Sequence, residues 1–140
     1  MVREFTGNDL DEVMTIWLKA NVETHSYVHE DYWRNHYDMV REMLPEAEIL
    51  VFDQEGKILG FIGMKDTYIA GIFVDETARS RGIGKKLLDA VKERKRELSL
   101  QVYKQNQRAE AFYEREGFEI LREQVEEETG EAEFLMQWKA

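Results

Sequence analysis

Residues 72–84 read IFVDETARSRGIG, an apolar run of strand character that ends in a short polar loop. A helix then opens on Arg79-Ser80-Arg81-Gly82-Ile83-Gly84. A helix N-terminus leaves backbone N–H groups without intrahelical partners and carries partial positive charge, so it draws anions. Gly82 and Gly84 present no Cβ to hold a phosphate away from the main chain, and Arg79 and Arg81 add two permanent cations. The stretch is therefore a candidate pyrophosphate cradle. Its pattern, R-x-x-G-x-G, is not a P-loop, because Gly84 is followed by Lys85-Lys86 and not by Lys-Ser/Thr. It is not the dinucleotide fingerprint either, which needs three glycines in an early βαβ unit.

The elements around it follow from periodicity and turn chemistry. A short strand is expected over 2–5, then a helix with Asn8 as N-cap, Asp9 and Asp11 in its first turn, and Leu10, Val13, Met14 and Trp17 on one face. A second helix over about 30–44 ends at the sole proline, Pro45. Strands over 49–52 and 57–64 are joined by Gln54-Glu55-Gly56, a hairpin signal, and 67–74 is a third strand. The helix over 82–97 carries Ile83, Leu87, Leu88 and Val91 on one stripe. A strand over 98–103, a helix over 106–116 and a hairpin of 118–125 and 132–138 around Thr129-Gly130 complete the order β-α-α-β-β-β-α-β-α-β-β.

The 140 residues fit one domain with room for a single core, and 43% hydrophobic with 11% aromatic residues mark a globular sequence. The absence of cysteine excludes disulfides, thiolate nucleophiles and Cys-ligated zinc. No apolar run approaches about 18 residues and residues 1–10 carry no signal segment, so a soluble, cytoplasmic protein is expected. A charge of −10 argues against nucleic acid or an anionic membrane as partner; it suits a cationic substrate, or solubility alone.

Downstream of the cradle, Asn106, Ala109 and Ala111-Phe112-Tyr113-Glu114-Arg115-Glu116-Gly117-Phe118 spell N-x-x-A-x-x-F-Y-x-x-x-G-F. Strand, loop, R-x-x-G-x-G, helix and strand followed by this second pattern closely resemble the GNAT superfamily of acyl-CoA-dependent N-acetyltransferases, most of all its small single-domain bacterial members. The element order of nearly the whole chain takes part in the resemblance, and the specific motifs span 72–118. It implies one N-acetyltransferase domain over 1–140 with a mixed, mostly antiparallel twisted α/β sheet of about seven strands, flanked by four helices and splayed at its central strands. It also implies acetyl-CoA as acyl-donor substrate, its pantetheine arm lying between Ile72-Phe73-Val74 and the strand over 98–103. In that scheme Arg79, Ser80, Arg81, Gly82, Ile83, Gly84 and Lys85 hold the pyrophosphate. Asn106 contacts the pantetheine or the amine, and Tyr113 is the general acid.

The chemistry of acetyl transfer fits a tyrosine in that role. Attack of an amine on a thioester builds an oxyanion, which a backbone N–H near Phe73 would stabilise, and expels a thiolate. Free thiols ionise near pH ~8.5 and tyrosine near ~10, so a phenol can supply the departing sulfur's proton. The amine must attack as its neutral form, yet Gln101 stands where several relatives carry a glutamate, and an amide cannot accept that proton. Glu23, His25 and His29 are the candidate substitutes, beside an ordered-water route or a substrate that arrives deprotonated. Without cysteine there is no cysteinyl acyl-enzyme, which agrees with direct attack in a ternary complex.

Plainer readings stand beside these. Asn106 is also a good helix N-cap, Phe112 and Tyr113 also suit a core, and Gly117 suits a left-handed helix stop. Lys92, Arg94, Lys95 and Arg96 alternate with Asp89, Glu93 and Glu97, as on a solvated helix face. His25 and His29 lack the H-E-x-x-H pattern, so no metal site is expected. Trp17, Tyr27, Tyr32 and Trp33 suit a core, but the family builds its acceptor site in this region, which makes 24–33, Trp33 included, a candidate acceptor wall. Glu126-Glu127-Glu128 reads as a solvated hairpin tip. Relatives are often homodimers, and the strand bearing Phe134, Met136 and Trp138 is either an edge for pairing or an ordinary half-buried strand. The alternative function is a non-catalytic acyl-CoA-binding sensor or interaction module, for which Gln101 is the only support.

Overall fold

The structure, a computed structural model, describes residues 1–79 and 81–140. Strand β1 (Val2–Glu4) is followed by helices α1 (Leu10–Thr24) and α2 (Glu30–Met43), then by β2 (Glu48–Gln54), β3 (Lys57–Lys65) and β4 (Tyr68–Val74). Helix α3 (Ile83–Arg94), β5 (Glu97–Tyr103), α4 (Gln107–Arg115), β6 (Glu119–Val125) and β7 (Ala132–Lys139) complete the order that periodicity predicts. The strands form one sheet, β1-β2-β3-β4-β5-β7-β6, in which only β4 and β5 run parallel among the described residues. This mixed sheet with its four helices is the architecture the sequence implies.

The β2–β3 hairpin turns on Glu55 and Gly56, both left-handed at φ +54° and +85°, the pairing whose twist matches that of the flanking strands. Alternation along these strands then builds two cores. Leu50, Ile62 and Met64 pack on one face against Leu87, Leu88 and Val91 of α3. Ile49, Val51 and Phe61 pack on the other against Val13, Trp17 and Trp33 of α1 and α2.

Four local expectations need correction. Asn8 does not cap the first helix. A 3₁₀ turn over Gly7–Asp9 precedes it, and the buried Asp9 carboxylate accepts the Thr6 amide at 2.8 Å and a two-pronged bond from Arg3 at 2.8 and 2.9 Å. Helix α3, expected over 82–97, begins at Ile83 after its N-cap Gly82 and ends early at Arg94, because Glu97 is already paired with Lys139 in the β5–β7 ladder. Strand β7 is the half-buried strand and not an edge: it lies between β5 and β6, and β6 is the edge on that side, with Leu121 and Val125 exposed. Glu126-Glu127-Glu128 is not a freely solvated tip, since Glu126 and Glu128 accept the Tyr32 hydroxyl at 3.3 and 2.6 Å and so tie the β6–β7 loop to α2. No helix among the described residues is long and apolar enough to cross a membrane.

Candidate active site

The site begins where the sheet comes apart. Strands β4 and β5 share only two register pairs, Tyr68–Ser99 and Ile69–Leu100, and beyond them no pairing joins the two strands among the described residues. The Asp75 amide donates to the Leu59 carbonyl at 2.8 Å, so by the alternation of an antiparallel ladder Phe73 is likewise bonded to its partner Phe61. The amides of Ile72 and Val74, and not that of Phe73, therefore face the gap and are the backbone groups free to meet an extended ligand or a developing oxyanion. Gly60 lets β3 press this close: a Cβ there would stand 2.8 Å from the Phe73 carbonyl oxygen.

Helix α3 closes one end of the gap. Its N-cap, Gly82, is left-handed at φ +76°, which requires glycine and turns the first-turn amides of Ile83, Gly84 and Lys85 outward. Gly84 serves differently from its partner: a Cβ there would touch Phe112 and Ile72 at 3.7 and 3.8 Å, so its bareness widens the cleft wall rather than the loop. Arg79 has a guanidinium nitrogen 3.6 Å from Glu23, and Lys85 pairs with Glu116 at 3.0 Å and Asp89 at 3.3 Å, which raises the lysine pKa. Arg81 is exposed, and Ser80 lies outside the described residues.

Helix α4 forms the opposite wall. Asn106 does cap it, its side-chain oxygen accepting the Ala109 amide at 3.3 Å. At the other end Phe118 N–H bonds to the Tyr113 carbonyl at 2.9 Å and Gly117 N–H to that of Glu114 at 3.1 Å, a Schellman turn with Gly117 at φ +95°. The Phe118 ring then lies 5.5 Å from that of Tyr113, centroid to centroid. The Gly-Phe ending of the motif is thus what anchors the tyrosine. Burial pushes the Tyr113 phenol above its ordinary pKa, so it stays protonated at neutral pH.

These walls enclose a cleft of about 750 Å³. Ile72, Phe73, Val74 and Arg79 line it, as do Gly82, Ile83, Gly84 and Lys85. Asn106, Tyr113 and His25 line it as well, so two motifs some thirty residues apart meet at one opening. Among the proposed acceptor residues the structure divides. His25 lies in the cleft, whereas Trp33 is buried behind it at a ring separation of 5.6 Å. Glu23 lines a separate groove on the outer side of α1 and α2. His29 is exposed and caps α2, its ring nitrogen accepting the Asp31 amide at 3.1 Å. Thr24, at the start of the expected acceptor wall, lines the cleft, but sequence reasoning missed Ala20 and Asn21, which line it from α1 at i−4 and i−3 from Thr24, the spacing that was the available signal. It also missed Tyr103, which packs on His25 at 4.9 Å.

A family model described as an acetyltransferase (GNAT) domain matches residues 20–140, which include every part of this cleft. The chain belongs to the GNAT family. The peptidyl-lysine N-acetyltransferase YiaC of Escherichia coli (strain K12) is 35% identical to it over 140 residues, covering 99% of this chain and 96% of its own. Among solved structures, the apo form of YjaB from Escherichia coli matches with a TM-score of 0.86 at 24% identity, over 99% of this chain and 96% of that one. The PaiA N-acetyltransferase from Thermoplasma acidophilum, in complex with coenzyme A, matches with 0.83 at 18% identity, over 100% and 98%. This GNAT protein is accordingly an N-acetyltransferase, with acetyl-CoA as its acyl donor.

Proposed function

We propose that the enzyme acetylates the ε-amine of lysine in a protein or peptide by direct attack within a ternary complex, as a single domain over residues 1–140 acting in the cytoplasm. The observation that carries this reading is the meeting, in one cleft, of an unpaired stretch of β4, the α3 N-terminus and the Tyr113 hydroxyl. Similarity to YiaC along the whole chain favours lysine as acceptor.

The residues present fit acetyl-CoA. Amides of Ile72 and Val74 offer an extended pantetheine the bonds of a missing strand. Amides of Ile83, Gly84 and Lys85, with Arg79 and Arg81 in the loop before them, offer the pyrophosphate a positive helix end. Asn106 holds the start of α4, and with it the wall that faces the pantetheine.

Holding amine and thioester side by side supplies most of the acceleration. A gap-facing β4 amide meets the charge that grows on the carbonyl oxygen. Tyr113, kept protonated by burial, gives its proton to the leaving sulfur. On the acceptor side, His25 touches the amine and Trp33 backs it, while Glu23 and His29 stand outside the cleft. The acidic surface favours a cationic acceptor and disfavours nucleic acid or membrane.

Thermal shift against acetyl-CoA, CoA, ATP and NAD, followed by free-thiol release with lysine peptides, tests this. Stabilisation by the two CoA species with peptide-dependent release is expected. Stabilisation without release from any amine would mean a CoA-binding sensor, and no response to CoA would overturn the cleft assignment.

A further inference from the structure

His25 is the one side chain of the proposed acceptor wall that both lines the cleft and carries a proton-accepting atom. Its position is fixed from several sides. As C-cap of α1 it donates its backbone N–H to Asn21 at 2.9 Å and accepts that of Val28 at 2.9 Å. Its ring is boxed by Tyr27, Trp33 and Tyr103, with centroids 5.6, 5.6 and 4.9 Å away. Nδ1 lies 2.8 Å from the Tyr27 hydroxyl oxygen, and the ring lines the cleft.

We propose that His25 and Tyr27 act together on the attacking amine: Nδ1–H donates to the Tyr27 oxygen, which leaves Nε2 as the atom that orients the amine and takes its proton as the N–C bond forms. This rests on the acetyltransferase reading above. Tyr27 is then a positioning residue that selects the tautomer, as the partner of a histidine's other nitrogen generally does. Desolvation pushes the His25 pKa down to about 4, so the ring is neutral and its acceptor vacant at neutral pH. A ring so weakly basic is sufficient, because the nitrogen becomes strongly acidic only once its lone pair has bonded to carbon. The amine enters neutral and one N–H proton goes to Nε2. Tyr113 gives its proton to the sulfur as the C–S bond breaks, and solvent takes the imidazolium proton and restores the phenol. The arrangement supplies a proton acceptor where Gln101 cannot.

Nitrogen-detected NMR of the imidazole reads the tautomer without needing any acceptor. Nδ1–H in the wild type, displaced toward Nε2–H in Tyr27→Phe, is expected; Nε2–H in the wild type would overturn the pairing. In steady-state assays His25→Gln should lower kcat about 100-fold with the acetyl-CoA KM unchanged, and Tyr27→Phe about tenfold. Added imidazole should restore part of the turnover of His25→Ala, which a purely structural role would not allow. A His25→Gln kcat within twofold of wild type, or no rescue, overturns the proposal. Wild-type protein that shows the Nδ1–H tautomer but acetylates only small amines would overturn the lysine assignment alone.

Discussion

The Tyr68 hydroxyl donates to the side-chain oxygen of Gln101 at 3.1 Å, a bond from β4 to β5 just past the last rung they share. Gln101 is therefore a tie at the closed end of the gap. Burial raises the Tyr68 pKa, which keeps the phenol a donor at neutral pH.

Removing that tie should loosen the gap. Tyr68→Phe is expected to cost ~0.5–1.5 kcal/mol in chemical denaturation and to raise the acetyl-CoA KM, with the first effect the size of one hydrogen bond.

Gly60 and Gly63 make an internal comparison within β3. A Cβ at Gly60 would meet the Phe73 carbonyl oxygen at 2.8 Å and Ile83 at 3.2 Å, while at Gly63 the nearest atom is 4.0 Å away. Gly60→Ala should lose roughly 1–3 kcal/mol and weaken acetyl-CoA binding, and Gly63→Ala should do neither; denaturation and CoA titration check both.

Gly82 and Gly130 share nearly the same left-handed backbone, at φ +76° and +73°, but only Gly82 borders the cleft. Alanine at either should cost ~1–2 kcal/mol, and only Gly82→Ala should raise the acetyl-CoA KM.

Stability should also depend on pH in a defined direction. His25 titrates at about 4 when folded and near ~6.5 when unfolded, so between those values the unfolded chain binds the extra proton. The melting temperature should therefore fall as pH drops from 6.5 to 4, and His25→Gln should flatten that segment. Asp9, whose pKa is lowered chiefly by its bonds to Arg3, adds a further loss below that range as its carboxylate is protonated. A melting temperature that rises on acidification from pH 6.5 to 4 would contradict the burial of a neutral histidine.

Local signals were legible in the sequence and distant ones were not. Glu55-Gly56 and Gly117-Phe118 are short-range turns written in residue type, and both form as read. The α1 cap was misread because Arg3 draws Asp9 away from the pattern that Asn8 suggests. The β5–β7 pairing and the Tyr32–Glu128 contact join residues far apart in the chain, so periodicity says nothing of them. Two finer points depend on pairing geometry. Which β4 amides face the gap follows from the register with β3, and His29 was drawn out of the acceptor site by the need to cap α2.

The central claim is direct transfer inside one cleft assisted by Tyr113, and initial rates of thiol release with acetyl-CoA and a lysine peptide varied together test it most directly. Intersecting double-reciprocal lines are expected, with Tyr113→Phe reducing kcat about 100-fold while still binding acetyl-CoA. Parallel lines, or a Tyr113→Phe enzyme as fast as the wild type, would contradict it.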